Sequence, residues 1–356
     1  METSTVDYLY KVSVGMPVWG VEKYIARCLE SVLNQDFDDM EVLVIDDCGP
    51  DKSIEIVTHI QQTHHKGSKI RIIHQPHNMG CWAARNRILD EAKGKYILLI
   101  DSDDYFAQDA ISTLYEEAER TNAEATYGSV DVVDEKGNLI KNSGIDGILL
   151  PDKILKGIGE LAFYANDNIH KRKLHTFIWN VLLKADFIER HHLRFRETKF
   201  WDDVLFVADI QPLIESATFI SKITYHYVIR DNSLSNFQAR SVIKIDEIRQ
   251  HIKNHKYLIQ QSTTLKGKPY YETRVTKMML AMFYTLTGVL RNREKLSAPI
   301  ENSEFRKAIN HPISFVEILK FQHFKTINLT FWLIGNLPAP LSTKAISMIA
   351  KAKKLL

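Results

Sequence analysis

Cysteine is scarce in this chain: Cys28, Cys48 and Cys81 are the three in 356 residues. An odd number excludes a fully paired disulfide framework, and their spacing fits no metal-ligand pattern. Buried reduced thiols in a reducing cytoplasm are the expectation. Excess charge of either sign is also missing. Lys and Arg number 46 against 44 Asp and Glu, a formal net charge of +2, which removes the electrostatic argument for a nucleic-acid partner. No apolar run reaches the length of a spanning helix. The nearest, 327–350, is broken by Asn336, Pro338 and Pro340. The opening METSTVDYLYK lacks the apolar core of a secretion signal. There is no internal repeat or low-complexity segment. No Ser-His or Cys-His arrangement calls for a covalent nucleophile. What remains is an ordinary globular composition, long enough for one large domain with an appendage or for two domains.

The most informative stretch is 96–104, YILLIDSDD. Ile97, Leu98, Leu99 and Ile100 form a short continuous apolar run, as in a strand buried on both faces. Polarity then flips to Asp101, Ser102, Asp103 and Asp104. Carboxylates packed at a strand end repel one another, and a cation among them keeps them ionised. Ligands bind at the carboxyl ends of strands in open α/β sheets. The reading is a Mg²⁺ or Mn²⁺ site holding a phosphate-bearing ligand. An acidic turn leading into a helix near Asp109 is the plainer alternative.

The rest of the first half alternates in the same way. Strands are expected at 11–16 (ended by Pro17), 41–45, 70–74, 96–100 and 125–130. Helices are expected at 24–34, 53–63, after Asn78 as cap to Gly94 as close, and 109–122. Such alternation implies βαβ units and a mostly parallel sheet flanked by helices. A turn is expected at 134–138, a helix at 177–188, another beginning at Trp201-Asp202-Asp203, and strand-like runs at 218–229. Residues 140–175 fit no pattern. Beyond Ala239 the chain becomes helical, chiefly at 241–262 and 270–292. The boundary is placed near 236, giving a domain at 1–236 and a helical region at 237–356.

Asp46 and Asp47 end the second strand on the same sheet edge as Asp101 and Asp103. One set can accept from a base or ribose while the other holds the metal. The segment Asn78-Met79-Gly80 with Ala83, Ala84 and Arg85 supplies a third piece. Its small residues allow close approach, and Arg85 could face a phosphate.

These segments together resemble the nucleotide-sugar-binding half of family 2 glycosyltransferases, which have the GT-A fold. The matching pieces are VSVGMPVWG (12–20), YIARCLESVLNQ (24–35), EVLVIDDCGPDKS (41–53) and NMGCWAARNRILDEAKGKYILLIDSDD (78–104). FIWNVLLKADFI (177–188), WDDVLF (201–206) and YHYVIRDNSLSN (225–236) match more weakly but in order. The resemblance implies that Pro17 edges the nucleotide base and that Asp46 and Asp47 bind base or ribose. It makes Asp101, Ser102 and Asp103 the DxD motif, with Asp103 the main ligand of a Mn²⁺ or Mg²⁺ ion. It puts Asp104 at the ribose or donor sugar and makes Asp203 the catalytic base. Asp202 stands where Glu is usual, Trp201 where a small residue is common, and Asn180-Val181 where Asn-Lys is usual.

The implied reaction is inverting transfer of a sugar from a nucleotide-sugar donor to a saccharide or lipid-linked saccharide, in surface polysaccharide synthesis. Two alternatives compete with it. A nucleotidyltransferase would carry a Gly- and Lys/Arg-rich phosphate loop where this chain reads PVWGVEK. A non-catalytic nucleotide-sugar-binding module would not need the acidic residues kept here. His226 between two tyrosines reads as a strand residue rather than a ligand, and Trp179, Tyr225 and Tyr227 as packing. The basic, apolar segment 313–356 fits packing or an oligomer contact, and also a peripheral contact with an anionic membrane at its inner face.

Overall fold

The structure, a computed structural model, describes residues 7–140, 148–169, 174, 176–230 and 241–356. It divides into two compact units, 1–161 with 173–231, and 162–172 with 232–356. The boundary expected near 236 lies outside the described residues.

The first unit is built on one sheet. Its strands are β1 (Tyr10–Val18), β2 (Met40–Asp46), β3 (Ile70–His74), β4 (Gly94–Leu99), β5 (Tyr105–Phe106), β6 (Ala125–Val133), β7 (Lys153–Lys156), β8 (Val181–Lys184) and β9 (Ser216–Val228). They run in the order β3-β2-β1-β4-β8-β6-β9-β5, with β7 on β9. The parallel pairing expected from the alternation holds through β3-β2-β1-β4. Beyond β4 the sheet is mixed: β8 lies antiparallel to both β4 and β6, while β6 and β9 are parallel. Apolar runs make β1, β2 and β4 because both sheet faces are covered there; Val12, Val14, Val42, Val44, Tyr96 and Leu98 are fully buried.

Helices α1 (Ile25–Leu33), α2 (Ser53–Thr63) and α3 (Cys81–Glu91) accompany the parallel half, and α4 (Ala110–Thr121) packs on β6 and β9. On α1, Ile25, Cys28, Leu29, Val32 and Leu33 are buried at helical spacing. Gly15 decides how close α3 comes to β1: a Cβ there would stand 2.3 Å from Ile88 Cγ2. Next in chain order come α5 (Glu160–Asn166), most of which falls in the second unit, and then α6 (Ala185–Arg190) and α7 (Asp202–Ile210) of the first.

Several sequence expectations change. Pro17 does not end β1, which continues to Val18. Pairing with β4 stops at Gly15, so the missing Pro17 N–H breaks no ladder on that side. The helix expected over 177–188 is β8 followed by α6, because Val181, Leu182 and Leu183 are a buried strand between β4 and β6. Asn78 does not cap α3. Gly80 does, at φ +89°, a conformation that suits glycine. Gly94 starts β4 instead of closing α3; a Cβ there would meet Ser13 N at 2.4 Å. Of the three thiols, Cys28 alone is buried. The expected 134–138 turn is present, with Asp134 N–H donating to Asn138 O.

The second unit is helical: α8 (Ile245–Thr263), α9 (Tyr271–Arg291), α10 (Asn302–Ile309), α11 (Phe315–Ile318), α12 (Lys325–Asn336) and α13 (Ala339–Ala352). Val275, Met279, Met282, Leu286, Phe305 and Ile346 centre its own core.

Candidate active site

The ends of β1, β2 and β4 and the starts of α3 and α7 supply the candidate site. At the end of β2, Asp47 is buried, and its carboxylate fixes the loop before α3. Oδ1 accepts from Gln75 Nε2 (2.8 Å) and Met79 N (2.7 Å), and Oδ2 from Gly80 N (2.9 Å). Asp46 is engaged locally, with Cys48 N at 2.9 Å and His74 Nδ1 at 2.7 Å. Asn78 is exposed in the same loop, and Pro17 is half-buried in β1. A groove of about 470 Å³ opens beside Asp46 and α2, lined among others by Cys48, Asp51, Glu55 and His59. It contains none of the β4 carboxylates.

After β4 the chain turns tightly, Asp104 N–H donating to Asp101 O at 3.0 Å. Ser102 is buried in this turn. Among the described residues, Asp101, Asp103 and Asp104 bring their oxygens within 4.8 Å of one another. Their environments differ. Asp104 is buried, and both its oxygens accept hydrogen bonds, from Tyr225 Oη (2.7 Å) and Val228 N (2.8 Å). Asp103 is ion-paired with Arg230. Asp101 is paired with Arg85 Nη2 at 2.8 Å.

Burial raises the pKa of Asp103, with Arg230 opposing and Asp101 adding to the rise. Burial, then the charges of Asp103 and Asp101, push Asp104 well above the carboxylate range. An oxygen-only donor set strained by its own charge suits a hard divalent cation, which would relieve the repulsion. Asp101 and Asp103 fit that role best, since Asp104 already has partners on both oxygens.

Arg85 joins this turn to a residue more than a hundred positions away. It is buried on the first turns of α3, with Nη2 on Asp101 and Nη1 on Asp202 Oδ2 at 2.7 Å. Its Nε has no hydrogen-bond partner. Burial opposes its charge, but Asp202 overrides that and holds the guanidinium ionised. In this structure Arg85, expected to face a phosphate, bridges two carboxylates. Trp201, at φ +65°, turns the chain into α7 so that Asp202 and Asp203 occupy the first turn. Acidic groups suit that end of a helix. Asp203 is half-buried and its Oδ1 accepts from Val204 N at 2.8 Å. Burial pushes its pKa up to about 7; Arg85 opposes this, while Asp202 and Asp101 add to it. A carboxyl titrating near neutrality beside the acidic turn is suited to proton transfer.

Sequence reading missed the supports. Tyr225 was read as packing, and it does stack on Trp179 at 4.4 Å. Its hydroxyl also accepts from Asp101 N (3.3 Å) and donates to Asp104. Arg230 is the Arg of the matched segment 225–236, which by itself assigns it no role. Asn180, buried at φ +60°, donates to Gly128 O (3.0 Å) and accepts from Thr224 Oγ1 (2.7 Å), tying β6 to β9. His226 pairs with Asp131 Oδ1 at 2.6 Å and stacks on Tyr105, outside the acidic cluster.

Residues 13–180 match the family model of glycosyl transferase family 2. Glycosyltransferase GlyA of Streptococcus pneumoniae is 29% identical over 229 residues, covering 63% of this chain and 31% of GlyA. The chain therefore spans under a third of that relative. The crystal structure of S. aureus TarS 1-349 in complex with UDP superposes with a TM-score of 0.60 at 14% identity, covering 91% of this chain and 90% of that one. Mannosyltransferase PcManGT from Pyrobaculum calidifontis, in complex with GDP-Man and Mn²⁺, gives 0.53 at 13% identity, covering 96% and 87%. These likenesses carry the GT-A fold to the chain.

Proposed function

We propose, from the match of residues 13–180 to the family model of glycosyl transferase family 2, an inverting glycosyltransferase that uses a divalent metal and moves a sugar from a nucleotide-sugar donor to a saccharide hydroxyl, free or lipid-linked, in surface polysaccharide synthesis. The observation that carries this is the meeting of the β4 acidic turn with the first turn of α7, bridged by Arg85. It supports the reading because Asp101 and Asp203 act on each other's charge there, and the pKa of Asp203 is pushed up to about 7.

Asp101 and Asp103 would hold Mn²⁺ or Mg²⁺, whose chemistry is to neutralise charge developing on the leaving nucleoside diphosphate. Asp47 holds the loop that edges the base, and with Asp46 and Pro17 it forms the nucleoside end of the site. The Asp203 carboxylate accepts the proton of the acceptor hydroxyl as that oxygen attacks the anomeric carbon from the face opposite the leaving group. Direct displacement inverts the configuration and needs no enzymic nucleophile. Residues 1–236 would house this chemistry, on the inner side of the membrane, and 237–356 would make acceptor, membrane or oligomer contacts.

The test is a panel of UDP-, GDP- and dTDP-sugars assayed for nucleoside diphosphate release with Mn²⁺, with Mg²⁺ and with EDTA. Release from one donor, dependent on metal, is expected. Turnover unchanged by EDTA would overturn the metal assignment, and no release from any donor with acceptor saccharides present would overturn the reading.

A further inference from the structure

Residues 318–356 contain no Asp or Glu and six lysines: Lys320, Lys325, Lys344, Lys351, Lys353 and Lys354. All six are exposed. In a chain with nearly equal numbers of acidic and basic residues, this is a local field of one sign. The last acidic residue before it, Glu317, is neutralised by Lys266 at 2.6 Å. Exposed apolar surface collects in the same place. Of 17 large apolar side chains exposed among the described residues, seven lie in 315–356, about an eighth of the chain.

Helix α13 shows the arrangement most clearly. Ser342, Thr343, Ile346 and Ala350 are buried in the unit. Leu341 (51% exposed), Lys344, Met348 (62% exposed) and Lys351 recur at i, i+3, i+7 and i+10, which is one helix face. On α11 and α12 the Phe315 and Trp332 rings stand 5.1 Å apart, and their chain neighbours Val316 and Leu333 are exposed. Among the described residues no helix is long and apolar enough to cross a membrane.

We infer that this basic face of the second unit docks on an anionic lipid bilayer, Leu341 and Met348 entering the headgroup layer and Lys344 and Lys351 meeting lipid phosphates. Lysine stems lie along apolar surface while their ammonium groups reach outward, so mixed Leu, Met and Lys faces suit that boundary. Each basic residue near an anionic surface adds to the attraction, and the effect fades with salt. A second copy of the same face is a poor occupant, since a two-fold contact would set lysines against lysines.

The experiment is co-sedimentation of the full chain with phosphatidylcholine vesicles, with and without phosphatidylglycerol, at low and physiological salt. Binding is expected only with phosphatidylglycerol, weakening as salt rises. Lys344→Glu with Lys351→Glu should lower the partition constant about tenfold or more. Leu341→Ser with Met348→Ser, at exposed positions, should lower it while the melting temperature stays unchanged. No binding to anionic vesicles at low salt overturns the proposal, as does binding that both double variants retain. Self-association by light scattering that is lost in Leu341→Ser with Met348→Ser, without vesicle binding, assigns the face to a protein contact and also overturns it.

Discussion

At the scale of single residues, the arginine bridge is the feature most open to mutation. Arg85 is buried between Asp101 and Asp202, and its two terminal nitrogens serve different carboxylates. Arg85→Gln leaves the buried Asp202 without its partner and should destabilise the first unit by about 3–5 kcal/mol. Arg85→Lys should rescue little, because one ammonium cannot reproduce a planar fork that spans two acids. Denaturant unfolding of the three proteins checks this; a loss under about 1 kcal/mol for Arg85→Gln contradicts it. Asp103 gives the opposite sign without metal. Its pKa is raised by burial, so Asp103→Asn should leave the metal-free protein as stable or more so. Mn²⁺ should raise the melting temperature of the native protein but not of this variant. A Mn²⁺ shift that survives the substitution would place the ion elsewhere.

At the scale of elements, close packing of α3 on β1 sets where Arg85 arrives. Gly15→Ala would push a methyl against the branched Ile88 side chain. That overpacking should cost about 1–3 kcal/mol, and Ile88→Ala in the same chain should recover part of the loss. A Gly15→Ala protein as stable as the native one would show that α3 shifts freely. The same elements explain what the sequence made legible. β1 to β4 and α1 to α4 alternate with clean periodicity because β1, β2 and β4 are buried on both faces and the helices on one. The acidic turns were readable because polarity flips at the end of an apolar run. Beyond β6 the rules fail for physical reasons. Val181, Leu182 and Leu183 are short and apolar, and nothing in such a run separates a strand inserted between β4 and β6 from a helix. The bonds from Tyr225 to Asp104, Arg230 to Asp103 and Arg85 to Asp202 join segments 121, 127 and 117 residues apart. Local pattern carries no trace of such pairs.

At the scale of the whole molecule, the two units should respond differently to pH. In the second unit His251 and His255 are buried on α8, and burial pushes both down to about 4. Their folded-state pKa lies below the ordinary value near 6.5, so the neutral form is the one that fits. The resulting stability is present above about 6.5 and is lost as pH falls from there toward 4. Melting of the second unit should therefore drop steeply between neutral pH and about 4, and His255→Gln should flatten that dependence. In the first unit, activity should climb as pH rises through about 7, where Asp203 loses its proton. A cation held at Asp101 and Asp103 favours the ionised carboxyl and should draw that midpoint lower.

The most direct measurement compares Asp203→Asn with Asp202→Asn in the presence of metal, reading donor binding by calorimetry and sugar transfer by product release on the same preparations. Asp203→Asn should bind the donor as the native protein does and transfer nothing. Asp202→Asn should retain measurable transfer while its unit melts earlier, because it keeps the base but loses an ion pair to Arg85. An active Asp203→Asn beside a dead, fully folded Asp202→Asn would contradict the account.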